Sequence, residues 1–182
     1  MSAPIHVAVF GMESTGKTAL AQRLAAHFAE PWAPEFVREF WDLRAGKIVA
    51  GDLGTIALGQ MANEDRAAAQ ARRVVFFDTT LLTCLLWDDL LFPGECPSWV
   101  RTEAERRARL VARHLLCDTD LPFAPDPQRC FPDAAGRAMG RRLFREALES
   151  RGLPFVEICG EGAAREARAI AAVEGLLAGA AP

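Results

Sequence analysis

The stretch Ile5-His6-Val7-Ala8-Val9-Phe10 runs directly into Gly11-Met12-Glu13-Ser14-Thr15-Gly16-Lys17-Thr18, and a helical pattern follows at once. A short apolar strand, a G-x-x-x-x-G-K-T loop and a helix, in that order, make a P-loop. Gly11 and Gly16 let the loop curl so that the backbone N–H groups of Glu13, Ser14, Thr15 and Gly16 face inward, where a phosphate chain binds. The positive end of the following helix adds to that field. Lys17 supplies a mobile cation for the β- and γ-phosphates, and the Thr18 hydroxyl is suited to ligate Mg²⁺.

Outward from this loop, short apolar runs alternate with longer amphipathic stretches, the pattern of a parallel sheet covered on both faces. It predicts strands at 5–10, 33–37, 74–78, 114–118 and 154–158, with helices over 17–29, 53–73, 80–90, 97–113, 134–150 and 162–178. The expected fold is therefore an α/β P-loop NTPase with a five-stranded parallel sheet. At 182 residues the chain suits a single domain, 1–182, whose Pro-rich stretch 122–132 is the longest expected loop.

Composition narrows the partners. A net charge of −3 offers no general field for phosphate backbones or anionic membranes, so nucleic acid and membrane partners are not expected. No apolar run approaches the ~20 residues of a membrane helix, and no basic leader precedes the first strand, which reads as a cytoplasmic protein. Five cysteines without a C-x-x-C spacing suggest neither a disulfide framework nor a zinc knuckle. Lysine is scarce. Of 21 basic residues only Lys17 and Lys47 are lysine, and one of them occupies the phosphate loop. Lys47 reads as exposed.

A P-loop leaves the reaction open, but other segments restrict it. No N/T-K-x-D segment is present to read guanine, which disfavours a regulatory GTPase. The apolar strand 74–78 ends in Asp78-Thr79, not in the Asp-Glu pair whose glutamate polarises water in motor ATPases. A small-molecule kinase remains. It needs a carboxylate near the acceptor hydroxyl, cations over the transferring phosphoryl group and a lid that excludes water. Glu35, Arg38 and Glu39 are expected at the carboxyl end of the second strand, where open α/β sheets bind ligands, and Asp78 closes the third beside them. A lid region of about 122–142 carries Arg129, Arg137, Arg141 and Arg142.

These segments resemble the ribosylnicotinamide kinase domain of NadR-type proteins. The resemblance rests on the E-S-T-G-K form of the loop, on Pro34-Glu35-Phe36-Val37-Arg38-Glu39-Phe40, on Leu58-Gly59-Gln60, on Phe76-Phe77-Asp78-Thr79 with Trp87, and on Leu115-Leu116-Cys117-Asp118 through Arg129. It implies phosphorylation of the 5′-hydroxyl of nicotinamide riboside by ATP and Mg²⁺ to give nicotinamide mononucleotide. By position, Gly11 to Thr18 hold the triphosphate, Thr18 and Asp78 serve the metal, and Glu39 or Asp78 orients the ribose hydroxyl. Arg38 steadies substrate or phosphoryl oxygens, and Arg129 and Arg137 come from the lid. Thr80 stands where family members commonly carry a second aspartate, and Phe36 and Phe40 where they carry tyrosines. The adenylyltransferase and DNA-binding parts of longer relatives are not in this chain, which reads as a standalone kinase. A kinase for another nucleoside or small alcohol, and a non-catalytic nucleotide-binding module, are the alternatives.

Overall fold

In a computed structural model that describes residues 3–179, the centre of the molecule is β1 (Ile5–Phe10), in which Val7, Ala8, Val9 and Phe10 are fully buried. It pairs in parallel with β3 (Val74–Asp78) on one side and β4 (Val111–Cys117) on the other. The outer strands are β2 (Trp32–Ala33) against β3 and β5 (Phe155–Ile158) against β4, giving the order β2-β3-β1-β4-β5. All five strands are parallel, so every strand-to-helix turn on the carboxyl side opens at one edge. The register Val9↔Asp78 places Asp78 beside the end of β1, next to the P-loop.

Both faces are covered, as near-continuous apolar strands require. On one face Val7, Val9, Val74, Phe76 and Leu115 pack against Leu20 and Leu24 of α1 (Lys17–Phe28) and Ala169 and Val173 of α7 (Gly162–Gly179). On the other, Phe10 and Leu116 meet α4 (Leu81–Leu91), α5 (Ser98–Ala108) and α6 (Ala134–Glu149). These helices and α3 (Leu53–Gln70) stand close to the sequence expectation.

The second strand differs. Only Trp32–Ala33 pairs, and the predicted continuation through residue 37 is instead α2 (Phe36–Leu43). Pro34 has no N–H for a ladder, and the apolar residues beyond it recur at helical spacing, Phe36 with Phe40 and Val37 with Trp41. Glu35, Arg38 and Glu39 therefore belong to the start of a helix and not to a strand end. The fourth strand also begins earlier than predicted, at Val111, because α5 ends at Ala108 and leaves Val111 to pair with His6. Gly59 explains how α2 reaches its place. A Cβ there would overlap the ring of Phe36, so only glycine lets α2 lie on α3. Gly59→Val is expected to destabilise the fold by ~1–3 kcal/mol in denaturant unfolding, the usual cost of forcing bulk into a close contact.

Candidate active site

The P-loop is held from three directions. Gly11 has φ +139°, and a Cβ on it would come within 2.8 Å of the Cys117 carbonyl oxygen of β4, so the loop passes too near that strand for any larger residue. Within the loop, the Thr15 hydroxyl and the Lys17 ammonium each donate to the Met12 carbonyl oxygen at 2.7 Å. From α7, the nearly buried Arg165 donates to the Thr15 carbonyl at 2.7 Å and to the Gly160 carbonyl at 2.9 Å, and pairs with Asp120 at 3.1 Å. Sequence reasoning missed Arg165. Its one visible signal is a guanidinium on the inward side of an alanine-rich helix.

The segment expected to serve as a lid, 122–142, lies on this loop. The Glu13 carboxylate accepts the Phe131 N–H at 2.6 Å, and the Ser14 hydroxyl accepts from Ala124 N–H at 2.8 Å and Arg129 Nη1 at 3.3 Å. Arg129 also donates to the Ala124 carbonyl. Arg137 donates to the Thr119 and Leu121 carbonyls, each at 2.7 Å, and lies over the Phe123 ring. It braces the loop after β4, so its part in the lid is to hold that loop's shape. Arg141 pairs with Asp118 at 2.8 Å, and Arg142 lies near Glu146 on the exposed face of α6; neither lines the cavity.

Next to the P-loop stands a carboxylate pair. Asp78 is 1% exposed, and neither of its oxygens has a hydrogen-bond partner. Burial, then the charge of Glu35, pushes its carboxyl up to about 6, with Lys17 pulling it back. Glu35 is gripped at both oxygens. Oε1 accepts the Thr79 hydroxyl at 3.1 Å and Oε2 accepts Arg38 Nε at 3.1 Å. Thr79 reaches it from a left-handed backbone, φ 75°, which a β-branched residue adopts only when its surroundings impose it. Arg38 Nη1 extends to Asp126 of the lid at 3.4 Å, tying α2 to that loop. Glu39 lies apart. It is on the exposed side of α2 and outside the cavity, so the carboxylate beside Asp78 is Glu35. The cavity meets α2 along the face of Val37, Arg38 and Trp41, which Glu39 does not share.

Buried polar side chains fix this arrangement. Gln60, fully buried on α3, accepts the Phe36 N–H at 3.0 Å and donates to the Thr79 carbonyl and Glu64, each at 3.4 Å. Glu64 accepts the Leu81 N–H at 3.1 Å and pairs with Arg107 at 3.2 Å. Two side chains of α3 thus cap the starts of both α2 and α4, the helices on either side of the carboxylate pair.

The P-loop, Glu35 and the lid open on one cavity of about 370 Å³. Lys17, Glu13, Arg38, Thr79 and Arg129 line it together with Val37, Trp41, Ile48, Trp87 and Phe92. Trp41 and Trp87 line the cavity, whereas Trp32 packs on the core beside β3. Lys47 is exposed, as expected.

The donor set fits a magnesium–nucleotide complex. Among the described residues no three His, Cys, Asp or Glu side chains gather into a self-sufficient metal cage. Mg²⁺ in phosphoryl sites commonly takes one or two protein ligands and fills the rest of its shell with phosphate and water. A buried, unpartnered carboxylate beside a P-loop threonine meets that need. In metal-free protein the same carboxylate is a cost. Its pKa is higher folded than unfolded, so the folded state holds the extra proton between about pH 4 and 6 and loses stability as pH rises through that range. Asp78→Asn is therefore expected to stabilise the metal-free fold at pH 8 by up to ~3 kcal/mol, a gain that vanishes toward pH 4. Denaturant unfolding at the two pH values checks it; a gain independent of pH contradicts it.

Comparison with known proteins agrees with this architecture. The trifunctional NAD biosynthesis/regulator protein NadR of Salmonella typhimurium is 28% identical over 156 residues, covering 84% of this chain, and its Escherichia coli counterpart is 29% identical over the same length. The chain spans 37% of the length of these curated relatives. A crystal structure of NadR protein in complex with NAD and AMP-PNP superposes with a TM-score of 0.73 at 22% identity, over 97% of this chain and 50% of that one. Deoxyadenosine kinase from M. mycoides with bound dATP superposes at 0.63 with 9% identity, over 93% of this chain and 99% of that one. The fold is thus that of P-loop kinases. None of the described helices is long and apolar enough to cross a membrane. With residues 6–165 matching the model AAA_28, described as AAA domain, the chain belongs to that AAA domain family, and its kinship runs to the NadR-type, kinase-like P-loop proteins.

Proposed function

We propose that this chain is the kinase domain of a NadR-type protein and transfers the γ-phosphoryl group of ATP to the 5′-hydroxyl of nicotinamide riboside, forming nicotinamide mononucleotide. The observation that carries this reading is the placing of Lys17, Glu35, Thr79 and Arg129 around one cavity whose remaining wall is largely apolar and aromatic. Such a cavity takes a nucleoside with its sugar hydroxyl toward the charged end and its flat base among Trp41, Trp87 and Phe92.

The parts divide as follows. Gly11 to Thr18 wrap the triphosphate with backbone N–H groups, and Lys17 swings from the Met12 carbonyl to the β- and γ-oxygens. Thr18 and Asp78 are the residues that would hold Mg²⁺, which would offset phosphate charge. Glu35, aimed by Arg38 and Thr79, accepts the proton of the attacking 5′-hydroxyl. Arg129 of the lid faces the transferring group while the lid excludes water. Arg38, already shared between Glu35 and Asp126, positions the base and couples it to lid closure. The test is ADP release from ATP and Mg²⁺ over a panel of nucleosides. Nicotinamide riboside is expected to give the highest kcat/KM; a purine or pyrimidine nucleoside ahead of it by tenfold would move the reading to another nucleoside kinase.

A further inference from the structure

One charged group in the cavity has no part in phosphoryl transfer. Cys84, Trp87, Asp88 and Leu91 lie at helical spacing on one face of α4, and all four line the cavity. The cavity therefore runs along α4. Its phosphate end is at Thr79, just before Leu81, and Asp88 stands seven residues farther along the helix, a rise of ~10 Å. That is about the distance from the 5′-oxygen of a nucleoside to the far substituent of its base. Asp88 is 6% exposed, and its Oδ2 accepts the Cys96 thiol at 3.2 Å. Burial, with Asp89 adding to it and the Cys96 thiol opposing, pushes its carboxyl up to about 6, so it is charged at neutral pH. A carboxylate buried in an otherwise apolar wall is costly unless a partner of opposite character meets it.

Resting on the function proposed above, we infer that Asp88 is the base-recognition residue of this cavity, accepting a donor from a positively charged, amide-bearing base and rejecting a base that carries a carboxylate. Nicotinamide riboside offers both attractive features, a pyridinium charge and a carboxamide NH₂. Nicotinic acid riboside has the same ring and sugar but a carboxylate in place of the amide. Two carboxylates meeting in a desolvated pocket repel strongly, and Arg101, the cation whose charge reaches Asp88, is engaged by the exposed Asp89 and does not line the cavity. Asp88 thus sets specificity by repulsion as much as by attraction.

The experiment is calorimetric titration of the full chain with each riboside, without ATP. Wild-type protein is expected to bind nicotinamide riboside at least ~100-fold more tightly than nicotinic acid riboside. Asp88→Asn, which keeps an oxygen for the Cys96 thiol, is expected to bring the ratio within about fivefold, chiefly by improving the acid's affinity. A mere loss of packing would weaken both ligands alike and leave the ratio standing. Asp89→Asn, on the exposed side and paired with Arg101, is the control expected to leave the ratio unchanged. Equal wild-type affinities, or a ratio that survives in Asp88→Asn, overturn the assignment while leaving the kinase reading intact. Binding of neither riboside overturns both.

Discussion

Glu35→Gln is expected to lower kcat by 10²-fold or more, whereas Glu39→Gln stays within about threefold of wild type. Both residues belong to the same E-x-x-R-E segment, and in sequence either suits the acceptor hydroxyl. The helix that replaces the predicted strand separates them. Glu35 stands at its start with both oxygens engaged by Thr79 and Arg38, inside the cavity, while Glu39 faces solvent. Loss of a positioned general base costs ~10²–10⁴ in rate, and glutamine keeps the shape, with its oxygen accepting from Arg38 and its NH₂ donating to the Thr79 hydroxyl oxygen, while removing the basicity. Because Glu35 also raises the Asp78 carboxyl, the substitution lets Asp78 ionise more readily, so the loss belongs to proton transfer and not to the metal site. Steady-state kinetics of the two variants decides the matter. Equal losses, or a larger loss in Glu39→Gln, would mean that α2 presents its other face when substrate binds.

Lys17→Met is expected to lower kcat/KM by ~10³-fold, and Lys17→Arg by at least tenfold. The first removes a charge aimed at oxygens whose negative charge grows in the transition state, an interaction worth ~10²–10³ or more in a water-excluded site. The second keeps the charge but changes its form. In a chain with 19 arginines and two lysines, the compact ammonium that meets the Met12 carbonyl at 2.7 Å is replaced by a longer planar fork whose charge is spread and whose donors diverge. Nucleotide affinity measured alongside turnover separates a binding loss from a catalytic one. A Lys17→Arg variant with normal kcat/KM would show that charge alone suffices.

Much of this architecture was legible in the residues because local pattern and tertiary role coincide. β1 and the P-loop follow from an apolar run feeding a glycine-framed loop, and β3 from Val74-Val75-Phe76-Phe77 ending in Asp78. Segment 33–37 differs, because its aromatic and β-branched residues favour a strand but Pro34 ends the ladder and the spacing beyond it is helical. Of the two glutamates in the E-x-x-R-E segment, the helix puts Glu35 in the cavity and leaves Glu39 outside it. Other parts of the site carry no local signal. Arg165 reaches the Thr15 carbonyl from 150 residues away, and Gln60 caps α2 only because Gly59 lets Phe36 lie against α3. Asp88 looks in sequence like one acid of an Asp-Asp pair; burial and the cavity distinguish it from Asp89. Contacts that depend on how helices are laid over a sheet become visible only once the sheet is built.

In the proposed reaction the γ-phosphoryl group of ATP passes to the 5′-hydroxyl of nicotinamide riboside and ADP leaves. This transfer is tested most directly by incubating the purified chain with ATP, Mg²⁺ and nicotinamide riboside and measuring the mononucleotide by mass spectrometry. Stoichiometric nicotinamide mononucleotide and ADP are predicted, with product formation lost in Lys17→Met. Product no greater than in the Lys17→Met protein, with ATP bound but not consumed, would contradict the account.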